Sequence, residues 1–173
     1  MTSETYTPPA PQGAAAHVSV RVRFVGYAKA VYAGGVSDGG LAYATPGSAG
    51  LDLRACFAEE SITIPPGERC AIPVGIAIEP DALNVAGFVY SRSGLGARHG
   101  LTVSQGVGVI DPDYRGEIVV SLLNTSGAER TVVRGERIAQ LVFQPFFRAQ
   151  LTPVEELGET SRGSGGFGHT GTV

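Results

Sequence analysis

Residues 17–24 read HVSVRVRF, and this stretch has a pronounced two-residue repeat. Val18, Val20, Val22 and Phe24 are apolar, whereas serine or arginine stands at each position between them. An apolar residue at every second position is typical of a β-strand that buries one face. The stretch therefore predicts a half-buried strand that begins at His17.

The same alternation recurs along the chain. Residues 51–55 and 72–78 repeat it, and residues 62–64 run into a Pro-Pro-Gly turn. Pro73 lies inside the second of these runs, which favours an edge strand or a bulge. Further apolar runs cover residues 87–90, 116–124, 130–133 and 138–143, at the spacing expected of a sandwich or barrel. The fold class predicted is all-β with a jelly-roll-like topology.

Helical periodicity is weak throughout. The best helix candidate is residues 93–99, where Gly94 and Gly96 each cost about 1 kcal/mol relative to alanine. We therefore expect at most one short helix.

Composition divides the chain into one domain and two terminal segments. A length of 173 residues matches a single domain of ordinary size. Residues 1–16 are rich in proline, alanine and glycine and contain few large apolar groups, so we expect a flexible N-terminal arm. Residues 158–173 are rich in glycine and are interpreted as a flexible C-terminal lid. The β domain is then residues 17–157.

Charge and cysteine content narrow the function classes. A formal net charge of −3 provides no basic field for nucleic acid or an anionic membrane, so neither is expected as a partner. The two cysteines, Cys56 and Cys70, have no second pair or histidine cluster nearby, which favours reduced core thiols over a zinc site or disulfide framework. The Met-Thr-Ser-Glu start resembles no signal peptide, so a cytoplasmic location is expected.

Two polar segments have a chemical interpretation from their residues alone. After the apolar pair Val109-Ile110, Asp111 enters a proline-containing turn, a good place to hold a carboxylate against a water molecule; Asp111 and Asp113 as ordinary turn formers is the alternative. Arg92 and Ser93 stand where a short helix begins, an arrangement that favours phosphate binding, and simple surface polarity is the alternative there.

Three further positions stand out. Asp52 lies on the opposite face of its strand from its apolar neighbours, and it fits either a magnesium site or a buried carboxylate without metal. Gln140 lies among apolar residues, so its amide needs a hydrogen-bond partner, either a phosphate oxygen or a backbone group. Arg137 fits an ion pair with Asp52 as well as a role in ligand binding. The C-terminal segment combines Arg162, free backbone amides and Phe167, as a lid over a nucleoside triphosphate would.

Five polar segments, in order, lie within residues 44–55, 90–101, 108–124, 134–143 and 162–171. They contain the strings ATPGSAGLDLRA, SRSGLGARHGL, GVIDPDYRGE, RGERIAQL and RGSGGFGHTG. Together they resemble the five motifs of the homotrimeric dUTP pyrophosphatases (dUTPases). The chain departs from the usual family pattern at Ser91, where proline is common, and at Gln105, where asparagine or a small residue is common.

The resemblance assigns roles residue by residue. It makes Asp111 the general base and Tyr114 the ring that excludes a ribose 2′-hydroxyl. The hairpin of residues 104–108 reads uracil through its backbone. Substrate-binding residues are then Arg92, Ser93, Gly94, Gln105, Gly108, Val109, Tyr114, Gln140, Arg162, Ser164, Gly165 and Phe167, with Phe167 stacked on uracil and Arg162 on the γ-phosphate. Asp52 would hold Mg²⁺ through water.

The activity implied is hydrolysis of dUTP to dUMP and pyrophosphate, which limits uracil in DNA and supplies dUMP for dTMP synthesis. The resemblance also implies a homotrimer in which three subunits share each site. Segments one, two and four would come from one chain, segment three from a second, and the tail from the third.

Two other functions remain open at this point. A dCTP deaminase has a related fold and a similar Ile-Asp-Pro turn, but it typically lacks a phenylalanine-containing tail. A trimeric jelly-roll binding module, or a regulatory protein that uses nucleotide as a switch, would bind nucleotide without releasing pyrophosphate. Turnover distinguishes these classes.

Overall fold

The structure is a computed structural model that describes residues 17–33 and 40–166. The predictions for the N-terminal arm and for Phe167 fall outside these residues. The described elements are β1 (Val20–Phe24), α1 (Ala28–Ala33), β2 (Leu51–Arg54), β3 (Ser61–Ile64), β4 (Arg69–Pro73), β5 (Ile76–Pro80), β6 (Val85–Ser91), α2 (Ser93–His99), β7 (Leu101–Val103), β8 (Gly108–Ile110), β9 (Val119–Asn124), β10 (Arg130–Val133) and β11 (Arg137–Pro145).

Antiparallel sheets dominate the fold, which confirms the all-β prediction. The largest sheet has the order β2-β11-β6-β8, and a second has the order β4-β9-β7. Two-stranded pairs β1-β5 and β3-β10 complete the described sheets. One hydrophobic cluster takes buried residues from each of the four sheets, including Leu53, Ile64, Ile72, Ile76 and Leu122. The strand alternation therefore serves a shared core.

Helix α1 contradicts the expectation of at most one short helix. It spans only six residues, too few to show a helical repeat in the sequence. Tertiary contacts hold it: the buried Tyr32 hydroxyl donates to the Val74 carbonyl oxygen at 2.9 Å and accepts the Arg54 N–H at 3.1 Å. Burial raises the pKa of Tyr32 to about 12, because the phenolate would lose its hydration. The one helix that was predicted, residues 93–99, is confirmed as α2.

The apolar run at residues 72–78 is two strands rather than one. Gly75 separates β4 from β5 with a φ of +69°, and a side chain there would collide with Ala28 and Cys56. Pro73 ends β4, which is an edge strand as its proline predicted. The two cysteines are free, with Cys56 buried and Cys70 only half-buried, and burial raises the pKa of the Cys56 thiol.

In the described part of the chain, no helix has the length and apolar character needed to cross a membrane.

Candidate functional site

The centre of the largest sheet brings three of the predicted segments together. Gln140 on β11 lies opposite Asp52 on β2 and opposite Tyr90 on β6. Residues directly opposite each other in a ladder share a face of the sheet. Arg92 follows the last residue of β6, so it lies beside the same face. Strand register alone therefore places the first, second and fourth segments at one location.

Asp52 is held between two arginines. Its Oδ1 accepts Arg92 Nε at 2.8 Å and its Oδ2 accepts Arg137 Nη1 at 3.1 Å. The Asp52 side chain is 17% exposed, so these ion pairs are partly shielded from water. Arg92 Nη1 also donates to the Arg137 carbonyl oxygen at 3.2 Å. Two guanidinium charges against one carboxylate leave a net positive cluster, which suits a polyanion.

Gln140 has a backbone partner, one of the two alternatives its sequence context allowed. Its Nε2 donates to the Ser91 carbonyl oxygen at 3.0 Å. A Cβ on Gly50 would approach Gln140 Oε1 at 2.7 Å, so a side chain there would displace this amide. The amide still has a second N–H, because a glutamine nitrogen carries two donors. Gln140 is thus fixed in orientation beside the arginines.

These side chains open onto a cleft of about 320 Å³. Its lining comes entirely from the first, second and fourth segments: Ala44, Ser48, Ala49, Gly50, Asp52, Arg92, Ser93, Gly94, Arg137 and Gln140. Ser93 and Gly94 are exposed in the first turn of α2, where helix N–H groups have no intrahelical acceptor. The cleft can therefore offer guanidinium, hydroxyl and amide donors to an anion.

The third segment forms an exposed turn after β8. Asp111 is exposed, and its carbonyl oxygen accepts the Tyr114 N–H at 3.1 Å. The Tyr114 hydroxyl donates to the Glu117 carbonyl oxygen at 3.0 Å, and its ring lies against Gly116, where a Cβ would collide with it. Tyr114 is 45% exposed, so one side of the ring is available to a ligand.

A single chain does not bring Asp111 to its own cleft. In the β6–β8 ladder, Gly87 pairs with Ile110, so Asp111 continues beyond the position of Gly87 toward Ala86. Arg92 is six positions from Ala86 along the chain, which corresponds to roughly 20 Å of extended strand. The cluster of Asp52, Arg92 and Arg137 therefore lies at one end of β6. The turn that begins at Asp111, called the carboxylate turn below, lies at the other end.

The hairpin of residues 104–108 is tied to the second segment. The Ser91 hydroxyl accepts the Val103 N–H at 2.8 Å, a bond that the usual proline could not make. Gln105 is exposed, and its Oε1 accepts the Ser104 hydroxyl at 3.1 Å. The serine that departs from the family pattern thus anchors the start of this hairpin.

The described C-terminal residues are mostly exposed. Residues 147–164 are all exposed. Within this stretch, Arg162 Nε donates to the Gly165 carbonyl oxygen at 2.9 Å. Ser164 is exposed and Gly165 is half-buried. The described tail does not line the cleft, and Phe167 lies outside the described residues. The boundary at residue 158 and the lid role stay predictions.

The residues fit Mg²⁺ that arrives with a phosphate ligand rather than a metal held by protein alone. Among residues 17–33 and 40–166, no group of three or more His, Cys, Asp or Glu side chains forms a cation site. Each Asp52 oxygen is engaged by one guanidinium and retains acceptor capacity for a water. Mg²⁺ commonly uses one carboxylate, several waters and substrate phosphates.

Sequence reasoning missed two residues of the carboxylate turn. Arg115 directly follows Tyr114 and donates to the Pro112 carbonyl oxygen at 2.7 Å. Glu117 Oε1 accepts the Gly75 N–H at 2.8 Å, which ties the end of the turn to the connection between β4 and β5. Arg115 had a sequence signal, a charge inside a quoted motif, whereas the Glu117 contact depends on tertiary structure.

Comparisons with known proteins agree on one family. The dUTPase family model matches residues 40–171. The curated deoxyuridine 5′-triphosphate nucleotidohydrolase of Desulfitobacterium hafniense is 52% identical over 130 residues, which cover 75% of this chain and 85% of that protein. Its counterpart in Shewanella denitrificans is 50% identical over 131 residues, covering 76% and 86%.

Solved structures share the fold. The dUTPase from Streptococcus mutans superposes with a TM-score of 0.56 at 28% identity, covering 61% of this chain and 84% of that chain. A dUTPase of Staphylococcus bacteriophage 80alpha gives a TM-score of 0.73 at 22% identity, covering 88% and 98%. A dUTPase from phage phi11 of S. aureus, in which a structural Mg(II) ion is described, gives 0.66 at 19% identity, covering 82% and 99%.

Proposed function

The chain belongs to the dUTPase family, whose members hydrolyse dUTP to dUMP and pyrophosphate, and from this premise we propose that it does so with Asp111 as general base in a site shared between subunits. The observation that carries the proposal is the positive cluster of Arg92 and Arg137 around Asp52, in a cleft built from three family motifs. A triphosphate provides the complementary charge.

The proposed reaction is an in-line displacement at the α-phosphorus. Asp111 accepts a proton from water as the water oxygen bonds to that phosphorus, and the bond from the α-phosphorus to the bridging oxygen breaks, so that pyrophosphate leaves. Arg92, Ser93 and Gly94 would bind phosphate oxygens, with the free N–H of Gln140 as a further donor. Bound Mg²⁺ would neutralise phosphate charge, and Asp52 would orient one of its waters.

Magnesium binding is expected to depend on nucleotide. Because the Asp52 cluster carries net positive charge, calorimetric titration of Mg²⁺ into nucleotide-free protein should give little heat. A non-hydrolysable dUTP analogue should bind about tenfold or more tightly with Mg²⁺ than without it. Asp52→Asn should reduce this difference and favour the metal-free analogue, since it removes one negative charge. Tight Mg²⁺ binding to the free protein would contradict the assignment.

Sugar discrimination is assigned to Tyr114. Its ring lies against Gly116 and is fixed by the hydroxyl bond to Glu117, so it would leave no room for a 2′-hydroxyl. Uracil would be read by the backbone of residues 104–108 and by Val109, with the exposed Gln105 side chain at the rim.

Tyr114→Ala should raise the specificity constant for UTP relative to dUTP by roughly tenfold or more, because the discrimination is steric. Tyr114→Phe is the matched control: it loses the bond to Glu117 but keeps the ring, so it should retain the wild-type ratio. Steady-state kinetics with both nucleotides measure this. An unchanged ratio in Tyr114→Ala would place the discrimination elsewhere.

The separation of Asp111 and Arg92 on one chain supports the proposal that subunits of a homotrimer share each site. A second chain must supply the carboxylate turn if the two groups act on one triphosphate. Exposed apolar residues provide surface for such association: Val109 and Val119 are 57% and 51% exposed, and Phe147 and Leu157, which follow β11, are 102% and 88% exposed. We propose that the tail of a third chain, with Arg162, Ser164, Gly165 and Phe167, closes the site.

Incubation with each deoxynucleoside triphosphate and Mg²⁺, followed by chromatography, tests the activity. Only dUTP should yield monophosphate and pyrophosphate at a high rate. A binding module would shift its melting temperature with nucleotide and release no pyrophosphate, and a deaminase would convert dCTP. We place the reaction in the cytoplasm, which the two free cysteines favour.

A further inference from the structure

The Arg115 side chain forms hydrogen bonds to the backbone of the carboxylate turn, in which it lies. Its Nη1 donates to the Pro112 carbonyl oxygen at 2.7 Å and to the Tyr114 carbonyl oxygen at 3.2 Å. Its Nη2 forms an ion pair with Glu79 Oε1 at 3.1 Å. One planar guanidinium therefore holds two carbonyl groups of the turn and fastens them to strand β5.

Strand β1 also forms a hydrogen bond to the same turn. Arg23 Nη2 donates to the Arg115 carbonyl oxygen at 3.2 Å, so the backbone on the far side of the guanidinium is also fixed. β1 precedes the residues matched by the family model, which begin at residue 40. The turn thus takes part of its support from outside the matched region.

These bonds act on the exposed middle of the turn, whose two ends are fixed in other ways: Pro112 is buried, and Glu117 Oε1 accepts the Gly75 N–H at 2.8 Å. Residues 111–118 lie between β8 and β9, outside the strand ladders, and Asp111 and Tyr114 are exposed. Residues 113–115 are exposed, so packing contributes little to their placement and side-chain bonds contribute more. The position of the Asp111 carboxylate therefore depends on the bonds that define the path from Pro112 to Gly116.

We propose that Arg115 is a positioning residue, which sets the Asp111 carboxylate and the Tyr114 ring through the Pro112 and Tyr114 carbonyl groups. This inference rests on the proposed role of Asp111. Within the chain, Arg115 bonds to two backbone carbonyl groups and to Glu79.

Arg115→Lys tests the proposal, because lysine keeps the charge but cannot hold two carbonyl groups and a carboxylate in one plane. We expect kcat for dUTP to fall about 10–100-fold, as for a displacement of about 1 Å at a reacting group. KM should change less than about threefold, since phosphate binding belongs to the Asp52 cleft. The melting temperature should change by only a few degrees.

Arg21→Ala is the matched control. Arg21 forms an ion pair with the same Glu79 at 2.7 Å, but it is largely exposed and makes no bond to the turn. Its kcat should equal that of the wild type. If Arg115→Lys does not fold, Glu79→Gln supplies the test, with an expected fall of several-fold because the neutral amide weakens the anchor.

A double-mutant cycle separates positioning from independent effects. In an Asp111→Asn background, Arg115→Lys should cause a much smaller further fall in kcat, because most of its effect on kcat acts through the Asp111 carboxylate. An equal fall in both backgrounds, or wild-type kcat in a folded Arg115→Lys, overturns the proposal. Activity retained in Asp111→Asn alone would instead overturn the general base and so the proposed mechanism.

Discussion

Asp111→Asn should lower turnover of dUTP by roughly 10²–10⁴-fold, the usual scale for loss of a positioned general base. An amide is nearly isosteric with a carboxylate, but it cannot take the proton from the attacking water. Because Asp111 is exposed and follows β8, the substitution removes no core contact. The fold, the oligomeric state and nucleotide binding should all persist.

The measurement is pyrophosphate release at saturating dUTP and Mg²⁺, with the melting temperature recorded alongside. Asp113→Asn is the matched control, since Asp113 is an exposed carboxylate two positions further in the same turn. It should retain turnover within a few-fold of the wild type. Near wild-type turnover in Asp111→Asn would remove this residue from the role of base.

The sequence predicted much of the cleft because its residues lie on strands. Asp52 belongs to an alternating stretch and Gln140 to an apolar run, both predicted as strands, and antiparallel pairing then places them opposite each other. The ion pair of Arg137 with Asp52 was one of two interpretations, and the structure shows it at 3.1 Å. Patterns with a period of two carry over into structure because each side chain has one of two faces to occupy.

The sequence missed features that depend on contacts between distant segments. Helix α1 is held by Tyr32 bonds to Val74 and Arg54, which no local pattern indicates. The break at Gly75 arises because Ala28 and Cys56 pack against it. Likewise, Arg115 reads as a surface charge until Glu79 and the Pro112 carbonyl group lie beside it. Features of this kind depend on residues that are distant in sequence, so a local sequence pattern does not predict them.

Deletion of residues 162–173 should abolish most catalysis while the β domain stays folded. Among the described residues, the hydrogen bonds of residues 162–165 are made to other residues of the tail. Their loss should therefore change the stability of the β domain little. The site would lose Arg162, proposed to stabilise charge on the leaving group, and Phe167, proposed to stack on uracil. Loss of one such electrostatic group costs about 10²–10³-fold, so turnover should fall by at least that factor. Deletion of residues 172–173 alone is the control and should be silent.

Mixed trimers then show from which chain the tail comes. Truncated chains and full-length Asp111→Asn chains can be co-expressed with different affinity tags, and complexes that carry both tags can be isolated. If the carboxylate turn and the tail of each site belong to different chains in a cyclic trimer, every mixed trimer holds one complete site, so about one third of wild-type activity should return. If each tail instead closes over Asp111 of its own chain, no mixed trimer contains a complete site. Activity no higher than that of the two parents would therefore reject the shared arrangement, even though both single variants behaved as expected.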